Sequence, residues 1–251
     1  MPKSAADIVE SAAVVRPRRH VLFRLVCLTE ALIYLVLFGM WRSWLTPWVV
    51  FADSTDHGWV RSPELHRWAD SAAAAFYLAV VAALVILVLR PTYRTGLTAW
   101  VLALVSATAG MSVVGSLLQQ HTGLAGALLT GLAVLVALAG PLLAAAPDRA
   151  AVLRGGRGDA TGPGAGWRAV LGAGAWMGAV AALAGVLWRV TGGVLENPRE
   201  DDVISFVLLG AAIALGCTLA RFGREGWRPL AWIMAGLGVY AAIGAVSLLL
   251  A

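Results

Sequence analysis

Residues 70–89 read DSAAAAFYLAVVAALVILVL, and after Asp70 no charged side chain follows until Arg90. At a rise of ~1.5 Å per residue a stretch of this length covers the ~30 Å hydrocarbon core of a bilayer. Peptide groups in hydrocarbon find no water, so their hydrogen bonds must close within the segment, which makes the stretch a helix. Outward from it, residues 21–40, 96–118, 122–146, 167–188, 203–220 and 230–250 repeat the pattern. The expectation is an all-α, polytopic membrane protein with about seven transmembrane helices.

The composition agrees with that class. Hydrophobic residues make up 60% and charged residues 13% of the chain, and the mean hydropathy is +0.80, outside the range of a soluble domain. The net charge of +5 does not point to nucleic acid, because the arginines sit at the ends of apolar stretches rather than along one helix face. Lys3 is the only lysine, which excludes an intramembrane Schiff base. Cys27 and Cys217 lie inside apolar runs without CxxC spacing and read as packing residues. The first apolar run lacks a small-residue cleavage site and reads as a retained signal anchor.

Arginines mark alternate connections: the amino-terminal tail, 90–94, 149–168 and 221–228. The positive-inside rule therefore sets the amino-terminus in the cytoplasm and, after seven crossings, the carboxy-terminus outside. The localisation expected is the cell membrane. The chain reads as one membrane domain, 1–251, with a four-helix sub-bundle over 20–146, a cytoplasmic Gly-rich linker over 147–166 and a three-helix sub-bundle over 167–251.

On this topology His57, His66 and His121 all fall on the outer side, and only His20 lies inside. His66 opens the second helix within Glu64-Leu65-His66-Arg67-Trp68-Ala69-Asp70, and His121 opens the fourth within Gln119-Gln120-His121-Thr122-Gly123. The two helices run in the same direction, so the imidazoles share a depth and are candidates to ligate haem iron between facing helices. Asp70, one turn after His66, or Glu64 is placed to accept the second imidazole N–H. The plainer alternative is that each His is an interfacial polar residue and that His66-Arg67 beside Trp68 only anchors the helix. A zinc or copper site using His57 and outer acids has no HxxxH or HxH spacing behind it.

Residues 21–146 resemble the four-helix, bis-histidine unit of the haem A synthase family and of related cytochrome-b-like bundles, in which a His-Arg pair opens helix two and a further His lies on helix four. The matching positions are His66-Arg67 and His121. The resemblance implies a haem b cofactor near the outer leaflet, serving electron transfer or redox chemistry on a membrane-soluble substrate. Residues 147–251 contain no His, so it implies a single haem site.

Glu30 stands near the middle of the first span, where an ionisable group costs ~2.5–3.5 kcal/mol on insertion scales and faces the protein interior as a rule. It is a candidate proton donor or relay. Alternatively it bonds a hydroxyl such as Thr108 or Ser112 and only fixes packing. Arg24 is expected to snorkel rather than to pair with it. The first outer segment carries Trp41, Trp44, Trp48, Trp59 and Trp68, an aromatic belt or else the wall of a pocket for a lipid or prenyl chain. With a buried acid and outer acids Asp53, Asp56, Asp70 and Asp202, that alternative is similar in architecture to a membrane-embedded terpene cyclase. A third alternative is a non-enzymatic membrane subunit or transporter component. The expected partners are membrane lipids, a lipid-like small molecule and membrane proteins not identifiable from sequence. Gly174-Ala175-Trp176-Met177-Gly178 in the fifth span allows close helix contact.

Overall fold

Each long apolar stretch closes its backbone hydrogen bonds locally, and in the computed structural model each is a helix. The structure describes residues 5–37, 63–92, 94–118, 123–155, 162–191 and 202–249. Its helices are α1 (Ala5–Leu37), α2 (Pro63–Leu89), α3 (Thr95–Leu118), α4 (Leu124–Val134), α5 (Gly140–Ala145), α6 (Arg149–Arg154), α7 (Ala165–Thr191), α8 (Asp202–Arg221) and α9 (Trp227–Leu249), with a π-helical turn, Leu135–Ala139, joining α4 to α5. The all-α class is therefore observed. Four stretches are long and apolar enough to cross a membrane: Ser71–Leu89, Leu124–Ala145, Ala165–Trp188 and Trp227–Val246. Thr95–Gly110 and Ser205–Arg221 are shorter apolar helices.

Two boundaries differ from the expected ones. Helix α1 starts at Ala5 rather than near Val21 and runs through Pro17, so the charged tail continues the span as helix. Helix α2 starts at Pro63, where a proline is tolerated because the first helical N–H has no intrahelical acceptor; the chemistry-bearing 64–70 segment is thus helical too. A third feature was not anticipated. The span 122–146 is interrupted by a wide turn in which the Gly140 N–H donates to the Leu135 carbonyl, five residues back. Pro141 follows directly, and the π turn accommodates a residue that has no N–H and whose ring would collide with the preceding turn of a regular helix.

Helices α2 and α8 form the centre. α2 packs against α1, α3, α8 and α9, and α8 packs against α3, α7 and α9 as well as α2. Phe76, Val80, Leu84 and Leu87 of α2 fill the core with Trp100 and Leu104 of α3, Leu142 of α5, and Ala212 and Leu230 from the last two helices. The indole of Trp100, fully buried, donates from Nε1 to the Ala212 carbonyl at 3.0 Å, satisfying a donor that has no water to turn to.

On α4 and α7 burial runs inside out relative to a water-soluble bundle. Helix α7 exposes Trp176 (73%), Met177 (70%), Val180 and Leu183, while small residues meet α8. A Cβ on Gly178 would stand 2.6 Å from the Gly210 carbonyl oxygen and 2.7 Å from the Ala214 nitrogen, and one on Gly210 would stand 2.8 Å from the Ala182 nitrogen. Gly174, Gly178 and Ala182, four residues apart, thus form a stripe that lets the two backbones touch. Helix α4 repeats the pattern, with Ala127 and Gly131 buried and Leu124, Leu128, Leu129 and Leu132 exposed. Large side chains facing outward and small ones inward are what packing in an apolar solvent favours, since lipid contact costs Leu or Trp nothing and close backbone approach gains dispersion energy.

The arginine-bearing connections gather at one end. The Gly96 N–H donates to the Glu225 carbonyl at 3.0 Å, Gly155 lies against Arg224, and Gly226 lies against Arg94. The α8–α9 turn is tight because Gly223 (φ 68°) and Gly226 (φ 86°) take left-handed backbone conformations that side-chain-bearing residues resist. Between the π-turned span and α7, the Asp148 side chain caps α6 by accepting from the Ala151 N–H at 3.0 Å.

Candidate functional site

Helix α1 has one buried stripe. Phe23, Cys27, Glu30, Ala31 and Tyr34 recur at helical spacing and are buried, whereas Leu22, Leu25, Leu28, Leu32 and Val36 on the other sides are exposed. The helix packs this stripe against α2 and α5. Glu30 is the one acid within it. At nine residues beyond Val21 it lies about 14 Å along the apolar part of the helix, close to half the thickness of a bilayer core.

The carboxyl is 3% exposed, and among the described residues neither Oε1 nor Oε2 accepts a hydrogen bond. The hydroxyl of Thr108, one candidate partner from the sequence, donates to its own helix at the Leu104 carbonyl, 3.0 Å away. The side chain of Ser112, the other, lies outside the described set. Arg24 is exposed on a different face of α1, as a snorkelling residue would be. What does surround Glu30 is a set of weakly acidic groups: the Cys27 thiol one turn before it and the Tyr34 hydroxyl one turn after it are both within electrostatic reach of the carboxyl. The Tyr34 ring packs on Tyr77 of α2 with centroids 6.0 Å apart and planes inclined at 42°. Nearer the start of α2, Ser71 faces the Tyr240 hydroxyl of α9.

A group that is buried, ionisable and without a hydrogen-bond partner costs stability wherever it sits. Chemically, the arrangement can hold a proton on Glu30 and exchange it, with the Cys27 thiol and the Tyr34 hydroxyl as neighbours able to donate or accept and Tyr77 behind Tyr34.

The histidine candidates stand differently. His66 and Asp70 belong to the first two turns of α2, four residues apart and so on one face of that helix; their side chains lie outside the described set. His121 and His57 lie outside the described residues altogether, as do Asp53, Asp56 and the Trp41–Trp59 group. His20, expected in the tail, is part of α1 and half-buried. Among the described residues no three His, Cys, Asp or Glu side chains converge. Tyr34 was identifiable as a neighbour of Glu30 from its spacing of four. The contact of Tyr34 with Tyr77 was not, because contact between helices depends on their relative rotation, which no spacing within one helix encodes.

No protein-family model, curated protein or solved structure matches the chain.

Proposed function

We propose that the chain is a multi-pass integral membrane protein with seven spans, and that Glu30 is its proton-exchanging carboxyl, used in acid–base chemistry on a membrane-soluble substrate. The observation that carries this is the buried carboxyl, without a hydrogen bond among the described residues, on a stripe otherwise built for packing. Helices α3 and α8, whose apolar parts are shorter, and α1 complete the seven. A carboxyl at this depth with thiol and phenol neighbours needs no metal to act as general acid or base.

The test is chemical labelling in native membranes. A hydrophobic carbodiimide reacts with protonated carboxyls reached through the apolar phase, so Glu30 is expected to be the principal adduct found by peptide mass spectrometry, and Glu30→Gln should abolish it. Labelling confined to the acids near the loops would remove Glu30 from this role. The orientation is tested separately: reporters fused after Arg94 and near Gly158 should read as cytoplasmic, and one at the carboxy-terminus as external. An external signal at Gly158 would overturn the topology.

The haem b site is a distinct proposal resting on His66, His121 and the family resemblance. Purified protein would then show a Soret band that His66→Ala and His121→Ala each diminish, because six-coordinate ligation needs both imidazoles. Protein that stays colourless after incubation with haem would end it.

A further inference from the structure

Helices α7, α8 and α9 bring six large side chains to one corner of the arginine-rich end. Trp167 and Arg168 lie in the first turn of α7, Arg221 ends α8, and Trp227 and Arg228 open α9. Trp232 lies about 7.5 Å deeper along α9. The ring of Trp167 bridges α7 to α9, meeting Trp227 and Trp232 edge-on with centroids 6.2 Å away in each case. Trp227 is buried, whereas Trp167 is 41% and Trp232 69% exposed. The Arg228 guanidinium stands 5.5 Å over the Trp227 ring, and that of Arg221 lies against Gly172 of α7.

Arg168, Arg221 and Arg228 are exposed and form no ion pair among the described residues. Of the described acids of this end, the Asp148 carboxylate caps α6, and the Glu225 carboxylate makes no ion pair with these arginines. Three guanidinium groups without an ion pair among the described residues therefore stand at neighbouring helix ends, with the exposed Trp167 beside Arg168, Trp232 deeper along α9 and the exposed apolar side of α7 at Val170.

The geometry points to a binding site for an anionic phospholipid at this corner, an inference that rests on the multi-pass reading of the chain. Guanidinium groups hold a phosphodiester through paired N–H donors. Indoles at the same edge pack on the glycerol backbone and first methylenes, and the outer side of α7 carries the acyl chains. The cation–π contact holds Arg228 in place while leaving its outward N–H donors available to phosphate. A soluble phosphate ester would use the arginines but leave the exposed faces of Trp167 and Trp232 and the apolar side of α7 uncovered, which is why a lipid is the occupant.

The experiment uses the full-length protein purified in a neutral detergent and titrated with phosphatidylglycerol or phosphatidylcholine, bound lipid being counted by native mass spectrometry. Phosphatidylglycerol is expected to bind in preference, and Arg168→Gln/Arg221→Gln/Arg228→Gln to weaken it by about 100-fold, at roughly fivefold per arginine near an anionic headgroup. Removing the same charge elsewhere at that end, with Arg90→Gln/Arg149→Gln/Arg154→Gln, should leave binding within about twofold. Equal loss from the two triple variants, or equal binding of the two lipids, would overturn the site. So would displacement of the lipid by soluble glycerol phosphate. A measurement on the unaltered protein covers the case in which the first variant does not fold: phosphatidylglycerol brominated near the headgroup should quench tryptophan more than brominated phosphatidylcholine at the same mole fraction, and equal quenching overturns the proposal. Failure of both lipids to associate at all would instead count against the membrane reading beneath it.

Discussion

Gly178→Leu should leave almost no folded protein recoverable from detergent, and Gly178→Ala should lower the unfolding midpoint by roughly 5–10 °C, from an overpacking cost of about 1–3 kcal/mol. The reason lies in what the new atoms meet. A methyl at Gly178 lands 2.6 Å from a backbone oxygen of Gly210 and 2.7 Å from the Ala214 nitrogen. Backbone atoms cannot rotate away as a flexible side chain would, so α7 and α8 must separate along their whole contact, and the dispersion energy of that contact goes with them. Gly236 on α9 provides the contrast, because a Cβ there meets nothing within 4 Å. Gly236→Ala should raise the midpoint slightly, as replacing a helical glycine by alanine gains up to ~1 kcal/mol. Opposite signs for one chemical change on two helices are what thermal unfolding should read. A neutral Gly178→Ala would mean that α7 and α8 are not packed backbone to backbone.

That stripe also shows how far the sequence carries. The spacing of Gly174 and Gly178 announced a close helix contact, but the partner at Gly210 and Ala214 could be identified only once the helices were placed. The span 70–89 was legible because an uninterrupted apolar run admits a single solution in a bilayer. The start of α1 was not: residues 5–20 carry Asp7, Glu10 and several arginines, so hydropathy falls while the helix continues, and hydropathy reports solvent rather than backbone conformation. The π turn had a visible cause in Gly140-Pro141, yet whether a proline ends, bends or widens a helix is decided by packing around it. At the site, Glu30 stood out as a lone carboxyl in an apolar run. Which neighbours it has depended on the rotation of α1 against α2, and Thr108, one hydroxyl offered as an alternative partner, instead donates to a carbonyl of its own helix one turn away, an acceptor always within reach of a helical threonine.

Glu30→Met should make the protein more stable while removing its function, and this pair of effects separates a working carboxyl from a structural one. Had Glu30 been fixing two helices through a hydrogen bond, an apolar replacement would cost ~0.6 kcal/mol, the average for such bonds within membranes. With no hydrogen bond to either oxygen among the described residues, the sign reverses. The buried carboxyl carries an uncompensated desolvation cost of about 1–3 kcal/mol, and methionine, unbranched and of similar length, fills the same space without it. The unfolding midpoint in detergent should therefore rise by roughly 3–8 °C. Glu30→Gln keeps the shape and the polar burden, so its midpoint should stay within ~2 °C of the parent, while it loses the exchangeable acid proton. Both variants should then share one defect: turnover of the native substrate reduced by ~10²-fold or more, the usual contribution of a general acid or base. The loss should appear together with disappearance of the carboxyl C=O infrared band that shifts on transfer to heavy water. A lower midpoint in Glu30→Met with the band and turnover intact in Glu30→Gln would assign Glu30 to packing, whereas stabilisation combined with loss of both is the signature of a carboxyl kept at the expense of stability because the chemistry requires its proton.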